Sequence, residues 1–260
     1  MGLLDGKVAV VSGIGPGMGR DISLAFAREG ADIVLGGRTD KKLARVAAEV
    51  AELGRRALPV TCDIADAGSC QQLAEQASAE LGGIDVLVNN AFHNGDFSRL
   101  LDADLDAWRQ TMDVNLFGAL NMVRAVAPSM KERGDGRIIM VNTMSTQRIE
   151  AGWGAYAASK GALATVTKTL AKELGPDGIR VNALHPGYIW GRPVEWFFEQ
   201  QATERGITPE EVYREVADET CLGYLPDSAE IAGTAVFFAS DLAKPVTGQM
   251  IGVNAGHWFN

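Results

Sequence analysis

Tyr156 and Lys160 stand four residues apart in Tyr156-Ala157-Ala158-Ser159-Lys160, within a stretch of helical periodicity. On a helix that spacing puts both side chains on one face. A phenol with a pKa near ~10 is a poor acid–base group at neutral pH. A neighbouring ammonium favours the phenolate, lowers that pKa and makes the phenol a usable proton donor or acceptor. Such a pair often arises by chance, so it carries weight only beside other residues of the same chemistry.

A second such group lies near the start of the chain, in Ser12-Gly13-Ile14-Gly15-Pro16-Gly17-Met18-Gly19-Arg20. It follows a strand-like apolar run and opens a helix-period segment. Glycines there let the backbone turn tightly and approach a pyrophosphate, which the free N–H groups of the helix start then face. Gly13, Gly15, Gly17, Met18 and Gly19 are the expected contacts. At the end of the second strand, an acid would grip a ribose 2′-hydroxyl and repel a 2′-phosphate. The run there is Leu35-Gly36-Gly37-Arg38-Thr39, with no acid before Asp40. Arg38 can pair with a 2′-phosphate through its planar fork, so the expected cofactor is NADP, with NAD as the other possibility.

The elements that must position these residues follow from periodicity. Short β-branched runs at Val8–Val11, Asp32–Leu35, Ala57–Thr61, Asp85–Val88, Arg137–Val141, Arg180–Leu184 and Met250–Val253 alternate with helical-period segments. That alternation predicts an α/β fold, a doubly wound, Rossmann-like parallel sheet of seven strands with helices on both faces. The expectation is a single domain over residues 1–260. One segment breaks the rhythm: residues 188–226 carry Trp190, Trp196, Phe197, Phe198, Tyr213 and Tyr224 with charges at helical spacing. They read as a pair of helices over the sheet's C-terminal edge, either a subdomain packed for stability or a substrate-binding lid.

Bulk properties narrow the class. The 260 residues are 47% hydrophobic and 22% charged, with a formal net charge of −9. No basic cluster offsets that charge, which argues against nucleic acid as a partner. Cys62, Cys70 and Cys221 are odd in number and widely spaced, so reduced thiols in a cytoplasmic setting are expected rather than a disulfide framework or zinc site. The start, MGLLDGKVAVVSG, lacks a basic region followed by a cleavable apolar stretch, and no run is long enough to span a bilayer. His93, His185 and His257 show no metal-ligand spacing, so no metal is expected. His93 and His185 follow strands at the C-terminal edge, where either could touch substrate.

Together these motifs resemble the short-chain dehydrogenase/reductase family over essentially the whole chain. Ser12-Gly13-x-x-x-Gly17-x-Gly19 is similar to its cofactor loop, and Asp63-Ile64 to its adenine-contacting pair. Asn89-Asn90-Ala91 resembles its strand-four motif, with Asn90 and Ala91 at the cofactor, although the usual following glycine is Phe92. Asn115, in Met112-Asp113-Val114-Asn115, resembles the helix asparagine that holds a proton-relay water. Pro186-Gly187, with Ile189, resembles the turn beneath the nicotinamide, and Thr247-Gly248-Gln249 the entry to the last strand.

The resemblance implies a division of labour. Tyr156 exchanges a proton with the substrate oxygen, Lys160 lowers the tyrosine pKa and holds the nicotinamide ribose, and Asn115 sustains a water chain. The family's third catalytic group, normally serine, falls on Thr143 by spacing, with Ser145 as the alternative hydroxyl. Threonine keeps the donor, but its branch stiffens χ1 and crowds the site. The family also implies a homotetramer or dimer. The aromatic lid, with His93, Ser145, Trp153, Trp190 and Trp196 as substrate candidates, points to a bulky cyclic or aromatic alcohol or ketone. The rival from another class is a nucleotide-binding sensor or scaffold of the same fold with weak catalysis.

Overall fold

A computed structural model of the chain describes residues 2–259. The β-branched runs form seven strands: β1 Val8–Ser12, β2 Asp32–Gly37, β3 Ala57–Thr61, β4 Val86–Asn89, β5 Gly136–Val141, β6 Ile179–Pro186 and β7 Met250–Val253. Each lies within two residues of its expected bounds. All seven are parallel in one sheet, in the order β3-β2-β1-β4-β5-β6-β7. The order reverses between β1 and β4, so a ligand crevice opens beyond their carboxyl ends.

Nine α-helices are described: α1 Met18–Arg28, α2 Asp40–Glu52, α3 Ala67–Leu81, α4 Leu105–Met112, α5 Ala119–Arg133, α6 Gly154–Leu174, α7 Arg192–Arg205, α8 Pro209–Asp218 and α9 Ser228–Ala239. Successive strand residues point to opposite faces, and both faces are buried. Ala9, Val11, Ile33, Leu35 and Ile139 join a core with Phe26 of α1, Leu43 of α2 and Phe238 of α9. Val10, Val34, Leu87, Ile138 and Met140 join a second core with Leu73 of α3, Met122 of α5 and Leu163 of α6. Each large side chain so buried contributes roughly 1.5–3 kcal/mol.

Helix starts show where the chain satisfies its own backbone and where it does not. Asp66 caps α3 by accepting from the Gly68 N–H at 2.8 Å. Thr208 with Glu211, and Asp227 with Glu230, close capping boxes on α8 and α9. At the β1–β4 switch, α1 starts from Gly17 with no side-chain cap. Its first N–H groups have no intrahelical partner.

The segment between β6 and β7 folds as the expected helix pair. Phe198, Ala202, Val212 and Leu225 make a third core of their own, flanked by Tyr188, Trp190, Phe197 and Tyr213. The Trp190 N–H donates to the Pro226 carbonyl at 2.8 Å, closing the base of the segment. No helix among the described residues is long and apolar enough to cross a membrane.

Candidate active site

Tyr156 and Lys160 occupy the first turns of α6, which packs across β6. Lys160 is 2% exposed, and its Nζ donates to the Val141 carbonyl at 2.7 Å, 5.9 Å from the Tyr156 ring centroid. Asn142 stitches strand to helix: its Nδ2 donates to the Lys160 carbonyl at 3.1 Å, and its Oδ1 accepts from the Thr143 N–H at 3.0 Å. Burial sets the electrostatics. It pushes the lysine down to about 7 and the tyrosine up to about 12, a hydrogen bond with Thr143 opposing the latter rise. The tyrosine is therefore not lowered as the sequence suggests. The reason is physical: desolvation weakens the ammonium that was to lower it, and that amine is held by Val141.

Thr143 and Ser145 lie together at the carboxyl end of β5. The Thr143 Oγ1 accepts from the Ser145 N–H at 3.2 Å and lies 3.3 Å from the Ser145 hydroxyl. Both are half-buried. They meet because Thr143 caps the single 3-10 turn Met144–Thr146 that holds Ser145, and of the two hydroxyls it is Thr143 that opposes the rise of Tyr156.

Asn115 is buried in a single π-helical turn, Asp113–Gly118, that widens the junction of α4 and α5. Its Oδ1 accepts from the His93 N–H at 2.6 Å. Its Nδ2 donates to the His93 carbonyl and the Ser159 Oγ, both at 2.9 Å. The Ser159 hydroxyl in turn donates to the Tyr156 carbonyl at 2.7 Å. Asn115 thus ties the loop after β4 to α6. Ser159 and Asn142 were passed over in the sequence, although both sit inside or beside the motifs that drew attention.

Aromatic rings continue outward from Tyr156. Phe92 lies 6.4 Å away, Trp153 5.9 Å away, and Phe97 packs tilted on Trp153 at 4.7 Å. Phe92 and Phe97 remain 55% and 56% exposed. Trp190 makes its ring contacts inside the helix pair, with Tyr213 at 4.6 Å and Phe198 at 6.0 Å, while Trp196 is exposed. The half-buried His93 accepts from the Gly95 N–H at Nδ1, at 3.1 Å. His185 is 1% exposed with neither ring nitrogen partnered among the described residues, and burial, then the Lys160 charge, lowers it to about 4.

The glycine loop separates internal from external demands. Gly13 has φ +81°, and a Cβ there would lie 2.4 Å from the Ala91 Cα. A Cβ on Gly19 would lie 2.4 Å from the Gly13 carbonyl oxygen, which also accepts from Asn90 Nδ2 at 2.8 Å. Gly15 has neither a left-handed backbone nor any atom within 4 Å of such a Cβ. Its smallness serves nothing in the protein, and open backbone beside an uncapped helix start fits a pyrophosphate. Met18 is half-buried at that start.

The flanking residues fit the rest of a dinucleotide. Arg38 is exposed and, among the described residues, has no hydrogen-bond or ion-pair partner. The Asp40 carboxylate accepts from the Thr61 hydroxyl. Asp63 is exposed at the end of β3, and Ile64 is buried, its carbonyl accepting from Asn121 Nδ2 at 3.0 Å. Pro186 ends β6, and a Cβ on Gly187 would lie 3.1 Å from Asn254 and 3.3 Å from Trp258. Ile189 packs on the first core. Among the described residues no cluster of His, Cys, Asp and Glu could hold a metal ion.

A family model described as enoyl-(acyl carrier protein) reductase matches residues 13–257. Oxidoreductase UcpA of Salmonella typhimurium is 36% identical over 259 residues, 98% of this chain and 96% of that protein. The structure of NAD+-bound xylitol dehydrogenase superposes with a TM-score of 0.89 at 30% identity, covering 96% of this chain and 98% of that one. A 7α-hydroxysteroid dehydrogenase complexed with NADH and 7-oxo glycochenodeoxycholic acid gives 0.87 at 32% identity, covering 97% and 94%.

The buried pair makes stability depend on pH. Lys160, usually near 10.5, is held near 7, so between those values the unfolded chain binds a proton that the folded one does not. Unfolding free energy therefore rises with pH across that window. Tyr156 acts oppositely above 10, where the folded chain keeps a proton that the unfolded one releases. Thermal midpoints of the cofactor-free protein, read from pH 7 to 9.5, should climb more steeply in the wild type than in Lys160→Met. Equal slopes would show that Lys160 keeps its ordinary titration.

Proposed function

Because the chain belongs to the short-chain dehydrogenase/reductase family, we propose that it transfers hydride between a nicotinamide cofactor and a secondary alcohol or ketone at the carboxyl ends of β4, β5 and β6. The observation that carries this reading is the buried Lys160 amine, 5.9 Å from the Tyr156 ring, at the end of the strand that presents the Thr143 hydroxyl, which opposes the rise of the tyrosine. When bound, the nicotinamide supplies or accepts the hydride. The chain's own residues handle the proton. Tyr156, protonated at neutral pH, gives its proton to the carbonyl oxygen. Thr143 donates to the same oxygen and stabilises the charge that develops there. Ser145 supports Thr143 through its N–H, and Lys160, reprotonated along a path held open by Asn115, restores the tyrosine.

Whole-chain likeness to these relatives supports one dehydrogenase unit over 1–260, with 188–226 as its lid. The rings of Phe92, Trp153 and Phe97 favour a bulky cyclic or aromatic substrate, in line with the steroid bound by one relative. His93 and Ser145 supply polar contacts and Trp196 enters through the lid, while Trp190, packed on Tyr213 and Phe198, shapes the lid from within. NADP is the preferred cofactor, since Arg38 is free and the nearest acid, Asp40, is engaged. Gly13, Gly15, Gly17, Met18 and Gly19 cradle the pyrophosphate. The remaining cofactor contacts are Asp63, Ile64, Asn90, Ala91, Pro186, Gly187 and Ile189.

Turnover of a panel of cyclic, aromatic and steroid-like ketones, read as NADPH absorbance, tests the reaction. Tyr156→Phe should bind cofactor normally and lose ~10²–10⁴-fold in rate. Thr143→Val should lose roughly 10²–10³-fold in kcat, Thr143→Ser should stay active and Ser145→Ala should be mild. A crippled Ser145→Ala beside a healthy Thr143→Val reverses the assignment. Cofactor binding without turnover on any ketone leaves a nucleotide-binding scaffold.

Cofactor choice has its own test, by fluorescence titration. Arg38→Ala should weaken NADPH much more than NADH, and Gly15→Ala should weaken both while leaving the thermal midpoint unchanged. Equal wild-type affinity for NADH and NADPH would make Arg38 a surface residue.

Assembly is read from α4 and the turn that follows it, where Leu105, Trp108, Met112 and Phe117 line a shallow, mostly apolar groove, Leu105 and Phe117 being more than half exposed. The small residues Ala157, Ala158 and Ala162 allow close packing along α6. We read the α4–α5–α6 face as the contact of a homodimer or homotetramer. Light scattering that gives a monomer at micromolar concentration overturns it.

A further inference from the structure

Three segments far apart in sequence meet beside the lid. The first is the turn after β5, where the Arg148 N–H donates to the Met144 carbonyl at 2.9 Å and so closes the loop that carries Thr143 and Ser145. The second is Glu219, directly after α8, whose Oε2 accepts from Arg148 Nη1 at 2.6 Å. The third is His257, just beyond β7. Its side chain is only 2% exposed, although both of its charged neighbours are open to solvent. The Nε2 atom lies against the Arg148 guanidinium and 3.1 Å from Glu219 Oε2. Its ring lies 6.0 Å from the Tyr188 ring, which itself packs on Phe198 of the lid core.

His257 is delivered by a turn built to hold it. Asn254 Oδ1 accepts from the Gly256 N–H at 2.9 Å, and Asn254 Nδ2 donates to the Trp258 carbonyl at 3.2 Å. The Leu222 N–H donates to the Ala255 carbonyl at 3.1 Å. A Cβ on Gly256 would lie 2.7 Å from the Cys221 Cβ, so the approach to the lid needs glycine.

We propose that His257 is a positioning residue: set against the Arg148–Glu219 ion pair, it clamps the lid to the turn that carries Thr143 and Ser145. An exposed ion pair alone is worth roughly 0–1 kcal/mol. A buried ring packed on Tyr188 and bonded into that pair shields it and joins three segments at one point. The lid then closes over a substrate already facing correctly placed hydroxyls. This deepens the reading of residues 188–226 as a substrate lid, so its test begins with a measurement that needs no turnover.

Hydrogen–deuterium exchange is compared in wild type, His257→Ala, His257→Gln and Glu219→Ala. His257→Ala and Glu219→Ala should each speed exchange about tenfold in segments 143–150 and 192–220 and leave 13–38 unchanged. His257→Gln keeps a polar nitrogen near the Nε2 position and should restore much of the protection. A variant carrying both His257→Ala and Glu219→Ala should add nothing to either single change. With the best ketone of the panel, His257→Ala should raise KM about tenfold at nearly unchanged kcat, with NADPH affinity intact. Unchanged exchange in the lid overturns the clamp, and so does acceleration spread over the whole sheet. Failure of every panel ketone would count against the dehydrogenase reading and leave the exchange result standing.

Discussion

Taking an ammonium out of water disfavours its charge, and the arrangement around α6 follows from doing this to Lys160. The amine's hydrogen-bond acceptor is the Val141 carbonyl at the end of β5. That carbonyl is in place because β5 pairs with β6 up to Val141 and Leu184, after which the Asn142 N–H takes the Leu184 carbonyl. Asn142 then has its side chain free to bind the Lys160 carbonyl and the Thr143 N–H. One residue after the strand therefore sets both the helix and the hydroxyl turn. From the other side, Asn115 reaches Ser159, and Ser159 reaches the Tyr156 carbonyl. Tyr156 is held between two strand ends whose spacing the parallel sheet fixes.

The architecture was readable in advance because its signals are local and repeated. β-Branched runs gave the strands, and Asp66, Thr208 and Asp227 stand at the helix starts that they cap. Four-residue spacing gave the Tyr156–Lys160 neighbourhood for the same reason. Spacing says nothing of the dielectric around a pair, though, so the direction of the Tyr156 shift was out of reach. Trp190 shows a second limit. An apolar stripe on a lid helix looks alike whether it faces ligand or its partner helix, and its ring contacts are Tyr213 and Phe198. The meeting of Arg148, Glu219 and His257 spans 109 residues and leaves no local trace.

The glycines show how structure divides what a motif lumps together. Gly13 and Gly19 are demanded by the protein, since their missing Cβ atoms make room for Ala91 and for the loop's own carbonyl. Gly15 is demanded by nothing inside. A substitution at the first pair strains the fold, whereas one at Gly15 changes only what can approach from outside. The same test distinguishes the two sides of the chemistry. Pro186-Gly187 is pressed on Asn254 and Trp258, so its place is fixed by packing.

That difference extends to the whole molecule. The proposed cofactor side is built from strand ends and helix starts that share the two sheet cores, so altering it disturbs the fold. The lid instead closes a core of its own around Phe198 and Val212. Rings such as Phe92 and Phe97 stand more than half exposed at the mouth. Residues there can change shape and polarity with little cost to the sheet, because few of their contacts reach it. Reaction class is consequently written into parts that the fold cannot alter freely. On the proposed reading, substrate identity is written into parts that it can, and a lid with its own core is tethered to keep register with the hydroxyl turn. The contact of His257 with Arg148 and Glu219 lies at that junction, where the helix pair with its own core meets the turn after β5.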